Sequence, residues 1–93
     1  KICDMAHVYD VTVQIHVCGG PIATAAALQV EAAIPNFTIH EEHNANLKNI
    51  FIQAGKYYYK PENGYYTVPD LPGIGQEMTD EFLATCRKVV IGG

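Results

Sequence analysis

The chain has 93 residues, enough for one small domain, of which 48% are apolar and 17% charged; that balance suits a packed protein and argues against disorder. Its net charge of -4 offers no basic surface to phosphate backbones, so nucleic acid is not an expected partner. No apolar run approaches the roughly 20 residues that span a bilayer, so no membrane partner is expected either.

In chain order, residues 1–9 (KICDMAHVY) place Ile2, Met5, Ala6 and Tyr9 at helical spacing, the last turns of a helix. The chain starts inside this helix and without an initiator methionine, which reads either as removal of a preceding piece or as the tail of a longer polypeptide. Residues 11–17 (VTVQIHV) alternate strictly, with Val11, Val13, Ile15 and Val17 on one face of a strand and Thr12, Gln14 and His16 on the other. Gly19-Gly20-Pro21 then breaks the strand and opens an alanine-rich helix over residues 21–34, with proline at a first position where no N–H is needed. On that helix Ile22, Ala26, Val30 and Ala33 share one face, and Thr24 and Glu31 another. Pro35 ends it, and residues 37–41 (FTIHE) form a second strand. Strand, loop, helix and strand in this order predict a βαβ unit with parallel strands.

Beyond residue 42 the pattern predicts an irregular connection over residues 43–55, then a tyrosine-rich β-hairpin (YYYKPENGYYTV) turning at Pro61-Glu62-Asn63-Gly64. The proline- and glycine-rich stretch VPDLPGIG is too broken for regular structure. Thr79 is a candidate N-cap, with Asp80 and Glu81 in the first turn and Arg87 and Lys88 near the far end of a last helix. Two parallel strands and one helix cannot cover both faces of a parallel sheet. Residues 1–93 alone are therefore not expected to fold as a stable monomer.

The three cysteines, Cys3, Cys18 and Cys86, form no CxxC pair and no zinc-ligand spacing. They read as reduced thiols in a cytoplasmic protein. Two residues stand out for chemistry. His16 lies at the carboxyl end of the first strand, where parallel α/β folds gather their reactive side chains, and an imidazole there can exchange a proton near neutral pH. Glu41 lies at the end of the second strand, on the same rim, where a carboxylate could orient a substrate, accept a hydrogen bond or bind a metal. The run His40-Glu41-Glu42-His43 has the composition of a metal site but not its geometry. On a strand His40 and Glu42 point one way and Glu41 and His43 the other, so the four do not converge.

The order and spacing of HVCGGPIATAAALQVEAAIPNFTIHEEH and YTVPDLPGIGQEMTDEFL resemble the C-terminal portion of the enolase superfamily, in its mandelate racemase-type acid-sugar dehydratases. The resemblance implies an α/β fold, the last part of a (β/α)7β barrel. Residues 1–42 would supply the final barrel strands and helix, and residues 43–93 a tail returning to an α+β capping domain. It implies abstraction of the proton α to a carboxylate, Mg2+ stabilising the resulting enediolate, and loss of the β-hydroxyl to give a 2-keto-3-deoxy sugar acid. A racemase or epimerase of the same superfamily, or a non-catalytic partner chain, is the alternative. On this template His16 corresponds to the acid/base histidine and Glu41 to the glutamate that binds the substrate carboxylate region. The metal ligands, and the aspartate that orients the histidine, would lie upstream of Lys1, and no residue here is assigned to either role. Ile15 stands where the family usually has a proline before the histidine. The expected partners are the acid-sugar substrate, the remainder of the barrel and capping domain, and further copies in a homo-oligomer.

Overall fold

The computed structural model describes residues 1–92, apart from the side chains of residues 45 and 46. Gly93, the end of the expected tail, lies outside the described residues. A short helix α1 (Ile2–Val8) leads through a turn at Asp10 into strand β1 (Val13–Val17). Helix α2 (Pro21–Ala33) follows, then strand β2 (Phe37–Glu42). The strands are parallel neighbours, as the βαβ reading predicts, with His16 opposite Glu41 and Val17 opposite Glu42. Val13 pairs with Phe37 before a register shift, and the first ladder position is braced by the Val13 N–H donating to the Asn36 carbonyl at 2.8 Å. Asn36 is itself buried, and its side-chain amide donates to the carbonyls of Cys3 (3.0 Å) and Val11 (2.9 Å). One residue thus ties α1, the lead into β1 and the start of β2 together.

Gly20 makes the strand-to-helix turn at φ 79°, ψ -168°, backbone that essentially only glycine adopts. The face of α2 that packs on the strands is the reverse of what its apolar stripe suggests. Thr24, Ala25, Ala27, Leu28 and Glu31 are buried, while Ile22 and Val30 are exposed. The physical reason is polar pairing: Thr24 and Glu31 find hydrogen-bond partners on β2, so their burial is compensated. Val30 instead borders an apolar groove shared with Ile15, Ala23 and Ala26.

The chain after β2 differs from the irregular connection expected over residues 43–55. A 3-10 helix (Asn44–Leu47) and helix α3 (Asn49–Ala54) occupy that stretch. Phe51 of α3 reaches Gly20 and lines a small pocket with Pro21 and Thr24, and Ala54 is fully buried. These short helices are held by tertiary contact more than by local pattern, which is why periodicity misses them. The tyrosine hairpin is also corrected. Its tight turn forms, with Asn63 (φ 53°) and Gly64 (φ 83°) at the centre and Glu62 bridging Tyr65, but no strand ladder extends from it. The flanking tyrosines are drawn elsewhere. Tyr66 turns towards His40, Tyr59 donates to the Gly75 carbonyl, and the Gln76 side chain takes both backbone groups of Tyr57.

The tail docks on α3 through an antiparallel bridge between Gly55 and Met78, and on α2 through Gln29, which donates to the Pro69 carbonyl at 3.0 Å. Helix α4 (Asp80–Ala84) is capped by Thr79, whose hydroxyl accepts from the Phe82 N–H at 3.3 Å. It ends at Ala84, so Arg87 and Lys88 lie past its last turn rather than within it. No helix among the described residues is long and apolar enough to cross a membrane. The buried apolar set is small: Val17, Ala25, Ala27, Leu28 and Ala54. Val11, Ile39 and Val90 are among the large apolar side chains left in the open.

Candidate functional site

Alternation along β1 puts Gln14 and His16 on the face opposite α2. The parallel register brings Glu41 of β2 alongside them. Both sequence-selected residues therefore meet: His16 Nδ1 lies 3.1 Å from Glu41 Oε1. The other carboxylate oxygen accepts from Gln14 Nε2 at 2.9 Å. Hydrogen bonds from Gln14 first, then His16, hold the Glu41 carboxyl below the usual range for a glutamate. Glu41 is thus a carboxylate at neutral pH and acts as an acceptor. His16 donates to Oε1 through Nδ1, so Nε2 is the ring nitrogen that Glu41 does not engage. The two side chains are 55% and 49% exposed, so the pair faces an open surface that a ligand can reach.

Gln14 is a site residue that the sequence reading did not single out. Its signal was present: it shares the polar face of β1 with His16, two positions away. A second polar cluster, on the helix-facing side of β2, was not anticipated. His40 lies between Glu31 of α2 and Glu42, with Thr24 and Tyr66 touching Glu42. This separates the HEEH run as its alternation predicts, with His40 and Glu42 on one side and Glu41 on the other. Among the described residues, no group of three or more His, Cys, Asp or Glu side chains is arranged to hold a metal ion.

Comparison with known proteins bears on this pair. A family model described as enolase C-terminal domain-like matches residues 1–82. The D-galactonate dehydratase of Ralstonia pickettii is 36% identical over 93 residues, covering 95% of this chain and 24% of that protein. The D-xylonate dehydratase of Haloferax volcanii is 35% identical over 77 residues, covering 81% of this chain and 18% of that protein. A crystal structure of an enolase superfamily member from Salmonella Typhimurium superposes with a TM-score of 0.86 at 64% identity, over 90% of this chain and 21% of that one. The chain thus spans about a quarter or less of the length of these relatives. On the extent of the family match, the chain belongs to the enolase C-terminal domain-like family, and its relatives include sugar-acid dehydratases.

Proposed function

We propose that this chain is the C-terminal part of an acid-sugar dehydratase, with His16 as its proton-transfer residue and Glu41 as the group that binds the substrate at its carboxylate end. The observation that carries the reading is the His16–Glu41 pair at the carboxyl ends of adjacent parallel strands. Such ends are where barrel enzymes of this architecture place their chemistry.

In this reading residues 1–42 are the closing strands and helix of a (β/α)7β barrel, and residues 43–93 are a tail packed on a capping domain. The apolar groove beside β1 and the exposed apolar residues of α1 are then covered by the rest of the barrel. The pairing of Nδ1 with Glu41 leaves Nε2 of His16 aimed at a substrate. His16 takes the proton α to the carboxylate or delivers one to the departing β-hydroxyl. When the α C–H bond breaks, its electron pair enters the enediolate. Loss of the hydroxyl as water leaves an enol that tautomerises to the 2-keto-3-deoxy acid. Glu41, fixed by Gln14, would meet the carboxylate end of the substrate through its hydroxyls or its developing enediol hydrogen. A magnesium ion would supply positive charge for the enediolate, and its ligands would come from residues outside this chain. The enzyme is proposed to work in the cytoplasm as a homo-oligomer.

The test is a panel of sugar acids, in heavy water, with the full-length protein that contains this chain. Formation of a 2-keto-3-deoxy product from at least one acid supports dehydration. Exchange of the α-hydrogen with retention of every hydroxyl would favour a racemase or epimerase instead. Neither reaction from any acid would overturn both and leave the non-catalytic reading.

A further inference from the structure

Back to back with Glu41, three ionisable side chains meet out of solvent. His40 Nδ1 lies 2.9 Å from Glu31 Oε1 and 2.8 Å from Oε2, and Nε2 lies 2.9 Å from Glu42 Oε2. The side chains of His40, Glu31 and Glu42 are only 9%, 5% and 8% exposed. An ionised carboxylate can only accept a hydrogen bond, and a neutral imidazole has one donor. A ring that bonds carboxylates through both nitrogens therefore needs a hydrogen on each, unless a glutamate carries the extra proton. The ring of Tyr66 stands beside that of His40 with centroids 4.8 Å apart at 54°, within the range at which an aromatic ring attracts a cation. Its hydroxyl donates to Glu42 at 3.3 Å, and Thr24 Oγ1 reaches the same carboxylate at 3.3 Å.

We infer that His40 is held as an imidazolium between Glu31 and Glu42, a clamp that fixes α2 to the end of β2 and positions Glu41 opposite His16. The positioning role rests on the proposed reading of Glu41 as substrate-binding; the clamp itself does not. The geometry is direct. His40 and Glu42 flank Glu41 in sequence and point to the opposite face. Anchoring both neighbours to α2 and Tyr66 removes the freedom of β2 to twist Glu41 away from His16. A neutral His40 would leave two buried carboxylates sharing a ring with a single donor, which is costly.

Burial alone would lower the affinity of His40 for its proton. The hydrogen bonds and charges of Glu42 and Glu31 outweigh it and raise the pKa above the ordinary value. The sign follows. The clamp is complete below the free-histidine value of about 6.5 and is lost as pH rises through the raised value. The ionisable groups facing His40 are Glu31 from α2, Glu42 from β2 and Tyr66 from the tail.

The experiment uses the full-length protein that contains this chain, with 15N-labelled histidine and His40→Gln for assignment. Two protonated ring nitrogens on His40 at the free-histidine pKa of about 6.5, where an ordinary imidazole would be half neutral, support the clamp. One protonated nitrogen overturns it, whether or not any sugar acid is turned over. With a substrate in hand, KM is expected to rise on an alkaline limb as His40 deprotonates. Glu31→Gln, which removes one of the two carboxylates that raise the His40 pKa, should move that limb to lower pH. A limb that stays in place overturns the positioning role. Absence of turnover in the wild type counts against the dehydratase reading alone, and the resonance measurement still decides the clamp.

Discussion

Asn36→Ala tests how the register that pairs His16 with Glu41 is held. The Asn36 amide donates to the carbonyls of Cys3 and Val11, while its own carbonyl accepts from Val13 at the first rung of the ladder. Each lost side-chain hydrogen bond is worth about 1 kcal/mol net, so two cost about 2 kcal/mol. Two details trim that figure. The Asn36 Oδ1 is buried without a hydrogen-bond partner among the described residues, so alanine also removes an unsatisfied acceptor. Val11, which precedes β1, is also an exposed residue, so water can replace the donor to its carbonyl. The expected loss is therefore about 1–2 kcal/mol. Asn36→Asp, isosteric but facing two carbonyls with a carboxylate in place of a donor, should lose more, about 3 kcal/mol. The assay is urea unfolding of the full-length protein, with amide exchange at β1 as a local readout. An alanine variant within about 0.5 kcal/mol of wild type, or an aspartate variant more stable than the alanine one, would refute the reasoning.

Gly20→Ala should destabilise by about 2 kcal/mol, because it forces a side chain into glycine-only backbone and brings its Cβ to 3.0 Å from the Phe51 ring; thermal unfolding of the full-length variant checks it, and an unchanged midpoint would contradict it. Gln14→Leu removes the hydrogen bond that contributes most to the low pKa of Glu41. The Glu41 charge is present above the ordinary carboxyl value and is lost as pH falls through its lowered one. The acidic limb of kcat/KM should therefore move to higher pH in this variant, and a limb at the wild-type position would count against Glu41 as the titrating group.

The βαβ unit was legible because each of its parts has a local cause. β1 alternates over every residue from Val13 to Val17, Gly20-Pro21 can only turn and start a helix, and Pro35 can only stop one. From alternation and parallel order alone, His16 and Glu41 could be placed on one rim. What escaped depends on partners distant in sequence. Thr24 and Glu31 are polar residues on the buried face of α2, and only the carboxylate and imidazole of β2 explain them. The hairpin was read from its turn, which forms. Its ladder does not, and Tyr66, Tyr59 and Tyr57 are instead engaged by His40, Gly75 and Gln76. The helix over Asn49–Ala54 is too short for periodicity to register and exists by packing against the Gly20 turn.

The proposed role of His16 in proton transfer is tested most directly by the kcat of His16→Asn in the full-length protein that contains this chain, on any sugar acid that the wild type is found to turn over, with circular dichroism and the melting temperature as the check on folding. Asparagine keeps a donor towards Glu41 but cannot exchange a proton at neutral pH. A fall of about 10²–10⁴-fold with the fold intact is expected. A folded variant that dehydrates its substrate within about tenfold of the wild-type rate, well short of a general acid/base contribution, would contradict it.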